Sequence, residues 1–418
     1  MNRHISLDRL ADVVTPGESI YVPGGIAIPV AFLEALQSQP EQSQNLRILT
    51  SIAPGIESPL DMDRLHASTI VSGLFMQPTL SRAQREGRYR MLPMSYGGFV
   101  RHLKELKDFD LTVLQVTPPD ASGMCSLGPS VEFLPLALRK SKRVLAQINQ
   151  CLPRLPGAVT VPFDRFDHVC EIESNLPEYS TETDDATRSI ANHIASIITD
   201  GSTLQMGLGK VPTALATALQ NHRNLRLFSG MLSDGIKELA LAGALDLDFA
   251  HTACVVAGSH DLYRWSTEFR SLRVLGCDVT HDACTLSKLD RFVAVNSALE
   301  VDLFGQCNLE HAEGRAVSGA GGAPDFARAA RLSPGGCSIV ALNSTHKRGT
   351  ASRIVSCLKN QAIASLSRVD IDQVVTEYGV ANLQGASVHE RAQALIGIAA
   401  PEFRASLQED WNVISQHL

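Results

Sequence analysis

Two stretches of the chain read as copies of one pattern: IYVPGGIAIPVAFLEAL at 20–36 and TLQMGLGKVPTALATAL at 203–219. Each begins as a β-like run, passes through a glycine pair and a proline, and continues as an apolar helix ending in Ala-Leu. A matching second unit follows each, NLRILTSIAPG at 45–55 and NLRLFSGMLSDG at 224–235. Self-similarity of this kind implies two related α/β halves. It also directs attention to strand ends. In open α/β sheets, ligands sit at the carboxyl ends of strands, where glycines open the turn into the next helix.

Outward from the repeats, strand-like and helix-like stretches alternate. Strands are expected at 19–22, 46–50, 111–116 and 143–149, with helices at 29–36, 99–107 and 131–142. Segment 117–130, TPPDASGMCSLGPS, is expected to be a loop, because Pro118 and Pro119 have no amide to give a ladder. SNLPEYSTETDD at 174–185 is polar, acidic and broken by a proline, which marks it as the linker between domains 1–180 and 181–418. Asp184 or Asp185 is placed to cap a helix over 186–198. The second half repeats the alternation, with strands at 203–206, 225–228, 252–257 and 291–295 and helices at 212–220 and 235–243. Strands separated by helices of this length imply parallel βαβ units.

The 418 residues exceed one ordinary core and favour two domains. With 44% apolar and 19% charged residues, the chain is globular and not disordered. A net charge of −7 leaves no basic face for nucleic acid. No apolar run reaches the length of a membrane span, and MNRHISLDRLADVV lacks the apolar core of a signal peptide, so a cytoplasmic location is expected. The nine cysteines are scattered and form no CxxC pair, which points to reduced thiols and to no metal site.

Gly207-Leu-Gly209-Lys210 follows a strand and opens a helix. Backbone amides at such a turn favour an anion or a developing oxyanion, and Lys210 adds charge for a phosphate. A tight turn without a ligand would use the same glycines. SGAGGAPDF at 318–326 suits close approach of backbone to a ligand. STHKRGTASRIV at 344–355 gathers Lys347, Arg348 and Arg353 as a phosphate site or a solvated basic surface.

VVTEYGVANLQGASVHERAQALIGIAAPEFR at 374–404 closely resembles the C-terminal signature of the acetyl-CoA hydrolase/transferase family. VTPPDASGMCSLGPSV, LQMGLGKVPTALATAL, VNSALEVDLFGQ, SGAGGAPDF and SRIV match in the expected order, so the resemblance spans nearly the whole chain. It implies two tandem CoA-transferase-type α/β domains with mainly parallel sheets. It implies a CoA thioester as substrate with no covalently bound cofactor. It also implies self-association, as a homodimer or with a related subunit. By the same resemblance, Gly321 and Gly322 lie against the thioester and help form the oxyanion hole. Gly207 and Gly209 lie close by, and Glu377 is a structural acid. With CoA as the ligand, Lys210, Lys347 and Arg348 are the candidate cations for its phosphates.

Two positions depart from the family. Members carry a nucleophilic glutamate in a stretch like H-T-E-M-x-S-D-G; here the stretch is Phe228-Ser229-Gly230-Met231-Leu232-Ser233-Asp234-Gly235, and the glutamate position is Gly230. Members also carry an asparagine that helps hold the reacting carbonyl; here His281 stands there, within VTHDA. Glycine has no side chain and cannot be a covalent nucleophile. Three readings follow. In the first, His281 acts as general base and water, an amine, an alcohol or a thiol attacks the acyl-CoA, with Ser229 or Cys277 as candidate nucleophiles. In the second, a displaced carboxylate, Glu268 or Asp234, restores CoA transfer to a carboxylate. In the third, the chain binds CoA ligands without turnover or serves as a partner subunit.

Overall fold

The computed structural model describes residues 3–55, 59–358 and 362–418. The chain forms two compact units: Met1–Tyr179 with Thr252–Thr280, and Ser180–His251 with His281–Leu418.

The first unit is built on seven strands: β1 (Ser19–Val22), β2 (Arg47–Thr50), β3 (Ile70–Gly73), β4 (Tyr89–Met91), β5 (Phe109–Val116), and, beyond the short β6 (Met124–Ser126), β7 (Ser141–Asn149), with β8 (Thr160–Pro162) paired to β6 and β9 (His168–Ile172) at the far edge. The order is β4-β3-β2-β1-β5-β7-β9, and each adjacent pair is parallel. β5 and the second half of β7 are buried on both faces, which explains why their buried stretches show no alternation of apolar and exposed polar residues. The chain winds outward in one direction from β1 to β4 and in the other from β5 to β9. The crevice at such a reversal, here between β1 and β5, is where open α/β sheets place ligands.

The second unit carries β10 (Thr203–Gln205), β11 (Arg226–Leu227), β12 (Phe292–Ser297), β13 (Cys337–Ala341), β14 (Gln373–Thr376) and β15 (Gly379–Asn382) in the order β11-β10-β12-β13-β14-β15. All pairs are parallel except the closing hairpin β14–β15. The direction reverses between β10 and β12, again beside the strand that ends in the glycine pair. The repeat extends to the backbone: Asn45 and Asn224, which open the second half of each copy, both adopt left-handed φ, at 58° and 56°. Asparagine tolerates that conformation better than other side chains.

Three local expectations change. Segment 117–130 is not all loop, because Asp120 accepts hydrogen bonds from the Ser122 and Met124 amides and turns the chain back into β6. The prolines block pairing only at their own positions. The helix expected over 131–142 is confined to Leu134–Arg139: Glu132 has a left-handed φ of 42°, and Ser141 already pairs with Phe109. The strand expected at 252–257 is two short pieces, His251–Ala253 and Val255–Val256. Elsewhere, Asp184 caps the helix Asp185–Ala195 through the Thr187 amide at 2.8 Å. All nine cysteines are free thiols, and no described helix is long and apolar enough to cross a membrane.

Candidate active site

The parallel strands of the second unit bring their carboxyl ends to one edge, and several of the residues singled out from sequence lie there. β10 runs into Gly207-Leu208-Gly209 and then the helix Lys210–Ala218. Gly209 has φ 126°, a conformation that only glycine adopts without strain. A Cβ on Gly207 or Gly209 would meet nothing within 4 Å, so open space and not packing surrounds this turn. Lys210 reaches Asp184 at 3.0 Å, and both side chains are about half exposed.

β11 runs on into Phe228-Ser229-Gly230. The Ser229 hydroxyl is fully buried and donates to the Met206 carbonyl, which ties the end of β11 to the end of β10. Asp234 sits at the N-cap of Gly235–Leu241 without making a side-chain cap bond.

Gly230 faces His281. A Cβ at residue 230 would lie 3.2 Å from His281 Nε2 and 3.5 Å from the Phe326 ring. A Cβ at residue 322 would lie 2.4 Å from the same nitrogen and 2.9 Å from Phe326. The imidazole therefore overlaps the Cβ position of residue 322 and stands in tight contact with that of residue 230, with its centroid 4.6 Å from that of Phe326. Phe326 belongs to an apolar cluster with Phe228, Leu286 and Phe292, which supports the ring from behind. Gly321 takes φ 57° and delivers Gly322 to the N-cap of the helix Ala323–Leu332. The positive end of a ten-residue helix is thus beside the imidazole, a favourable place for an oxyanion.

His281 is 4% exposed, and burial pulls its pKa down to about 3. The ring is neutral throughout the physiological range. This differs from a histidine poised near its ordinary value: a lone pair is always present, on a weaker base.

Glu377 accepts from the Ser344 amide at 2.8 Å and the Ser344 hydroxyl at 2.7 Å, which holds the turn after β13. Lys347 pairs with Glu313 at 3.0 Å, and Lys347, Arg348 and Gly349 all take left-handed φ. In the first unit, Glu268 is exposed, and the buried Cys277 thiol is pushed well above its usual range by burial. Sequence reading overlooked two groups. Phe326 is the platform for His281, and the Asn296 side-chain Nδ2, near the end of β12, is buried without a hydrogen-bond acceptor. Both stood in recognised motifs, Asn296 in VNSALEVDLFGQ and Phe326 at the end of SGAGGAPDF, but Phe326 shows its purpose only when its helix is placed against residue 281.

In fold, this is a CoA-transferase-type chain. A 4-hydroxybutyrate CoA-transferase from Porphyromonas gingivalis matches it with a TM-score of 0.81 and 28% identity, over 100% of this chain and 98% of that one. RipA from Yersinia pestis matches with a TM-score of 0.88 and 25% identity, over 99% and 98%. In sequence, the chain is 33% identical over 391 residues to the 4-hydroxybutyrate coenzyme A transferase of Clostridium kluyveri, covering 92% of this chain and 91% of that protein. The acetyl-CoA hydrolase/transferase N-terminal domain matches residues 2–193, and the C-terminal domain of the same name matches 258–411. The chain belongs to the acetyl-CoA hydrolase/transferase family, and acyl-CoA processing is the chemistry of that family. Gly207, Gly209 and Gly230 lie between the two matched stretches.

Proposed function

We propose that this chain moves an acyl group from a CoA thioester to water or another non-carboxylate acceptor, without a glutamyl-enzyme intermediate. One observation carries the reading: the imidazole of His281 stands 3.2 Å from where a Cβ on Gly230 would lie, against the position from which the family's nucleophilic side chain would project. The two departures are thus one change, a side chain removed and a ring put in its place.

The acceptor oxygen, sulfur or nitrogen attacks the thioester carbonyl while its proton passes to a ring nitrogen of His281. The carbonyl oxygen gathers negative charge, which suits amides near Gly322 at the helix N-terminus. The C–S bond then breaks and the CoA sulfur recovers the proton. Because His281 is a weak base, much of its contribution is orientation of the acceptor. Ser229, committed to the Met206 carbonyl, is a tie in this reading and not a nucleophile. Gly207, Gly209, Gly321, Lys210, Lys347 and Arg348 serve the CoA ligand, with Lys210 and Lys347 exchanging Asp184 and Glu313 for phosphate.

Transfer of CoA to a carboxylate is the second reading, favoured by the name of the Clostridium kluyveri relative. Both are tested by following free CoA from a panel of acyl-CoAs, with and without acetate. The proposal expects CoA release without acetate and its loss in His281→Ala. Acetate-dependent exchange that survives His281→Ala would overturn it. Binding without turnover by any acyl-CoA would leave a partner-subunit role.

A further inference from the structure

In the first unit the residue that corresponds to Gly230 is Ser51, at the end of β2, and it is met by a different titratable group. Glu132 lies 3% exposed in the loop before the helix Leu134–Arg139. Its left-handed backbone is held in place: the Val131 amide donates to the Cys254 carbonyl at 2.9 Å, and the Cys277 amide donates to the Glu132 carbonyl at 2.7 Å. Its carboxyl accepts the Ser51 hydroxyl at 2.9 Å. Ser51 Oγ in turn accepts the Gly24 amide at 2.9 Å, with the Tyr21 hydroxyl at 3.4 Å.

The turn at the other end of this chain of bonds has no slack. A Cβ on Gly24 would strike the Ser51 carbonyl oxygen at 2.5 Å, and one on Gly25, at φ 67°, would strike the Ser130 hydroxyl at 2.4 Å. The same turn leads into Ile26, Ile28 and Val30. These line a cavity of about 400 Å³ with Pro59, Gln115 and Leu176. Gln115, near the end of β5, donates to the Ile28 carbonyl at 2.6 Å. The cavity thus opens at the β1/β5 reversal, where a sheet of this kind takes its ligand.

We propose that Glu132 is a positioning residue: through Ser51 it sets the Gly24–Gly25 turn and, with it, the cavity wall that follows. Its protonation state is part of the device. Burial pushes the Glu132 carboxyl up to about 7, against the hydrogen bonds from Ser51 and the Gly24 amide. The titratable groups that face it are Tyr21 on β1, Tyr96 at the start of the helix Tyr96–Glu105, and Cys277, with Cys254 beside Cys277. The Tyr21, Tyr96 and Cys277 protons are held tightly by burial, so Glu132 is the member of this group that exchanges a proton near neutral pH. Below that point the neutral acid fits its dry site. Above it, a buried carboxylate draws water or moves, and the turn loosens with it.

The part of the inference that concerns ligand rests on acyl-CoA being the substrate; the part that concerns the turn does not. Hydrogen exchange of the segment 19–32, corrected for the intrinsic effect of pH, is measured between pH 6 and 8. Protection falls on the order of tenfold in the wild type, as expected for one proton near 7. It stays constant in Glu132→Gln and is low at both ends of the range in Ser51→Ala. Parallel loss of protection in the wild type and Glu132→Gln overturns the inference. In the second arm, KM for acetyl-CoA rises across the same range in the wild type and is flat in Glu132→Gln, more than kcat changes. A KM that ignores the substitution overturns the positioning role even if exchange responds. Absence of turnover of every acyl-CoA in the panel by the wild type strikes the proposed function, and exchange then decides on the turn.

Discussion

The two copies of the repeat end in the same way and are completed differently. At the end of β2, Ser51 meets the Glu132 carboxyl; at the end of β11, Gly230 meets the His281 imidazole. Both partners are buried, and burial disfavours charge on both. The same cause acts in opposite directions, up to about 7 for the acid and down to about 3 for the base. At neutral pH the acid at the first strand end therefore titrates while the base at the second does not. Of these two groups, Glu132 is the one that can give activity a pH dependence near 7.

The largest effect expected from breaking this comparison is at the second strand end. His281→Ala should lower kcat for CoA release by about 10²-fold, the order of loss expected when an acceptor is misplaced, because a base this weak gives less than a matched general base would. Steady-state release from a short acyl-CoA measures it. The rate of the wild type should show no limb assignable to His281 near its ordinary pKa of 6.5, because the folded value is about 3.

Next comes the first strand end, through stability. The folded Glu132 value of about 7 exceeds the ordinary 4.5, so the folded chain holds this proton more tightly than the unfolded one. The resulting stabilisation is complete below about 4.5 and is lost as pH rises through about 7. It amounts to roughly 3 kcal/mol. Denaturant midpoints from pH 5 to 8 should fall more steeply in the wild type than in Glu132→Gln.

Much of this comparison was legible from sequence because it rests on local patterns. The glycine turns, the two copies and Gly230 lie within short stretches, and a strand-to-helix turn needs its glycines wherever it occurs. Asp184 declared its cap within three residues. The partners of the two strand ends were less visible. Ser51 and Glu132 are 81 positions apart, and nothing in GPSVEF signals a carboxyl turned inward by a left-handed backbone. His281 was singled out by its register before Asn296, but its burial and its tilted contact with Phe326 depend on packing. So does its pKa, which departs from the ordinary value that a sequence alone suggests.

Smaller changes sharpen the account. Gly322→Ala places a methyl group 2.4 Å from His281 Nε2 and should cost about 1–3 kcal/mol as overpacking. Gly230→Ala, at 3.2 Å, should cost less, since the ring needs to give only slightly. The difference in melting temperature between the two variants should shrink when His281 is also replaced by Asn. For the same reason Gly230→Glu alone should fail to gain carboxylate transfer, and Gly230→Glu with His281→Asn should gain it. The smallest effect is at Lys210→Ala: its exposed pair with Asp184 is worth less than about 1 kcal/mol. Any loss should appear in KM and weaken with added salt.

The central claim is that Gly230 and His281 together replace the glutamyl route. Its most direct test is the intact mass of the protein during turnover of acetyl-CoA, quenched with borohydride. The account predicts steady release of CoA from a protein whose mass does not change. A covalent CoA adduct, or its reduced product on any carboxylate of the chain, would contradict it.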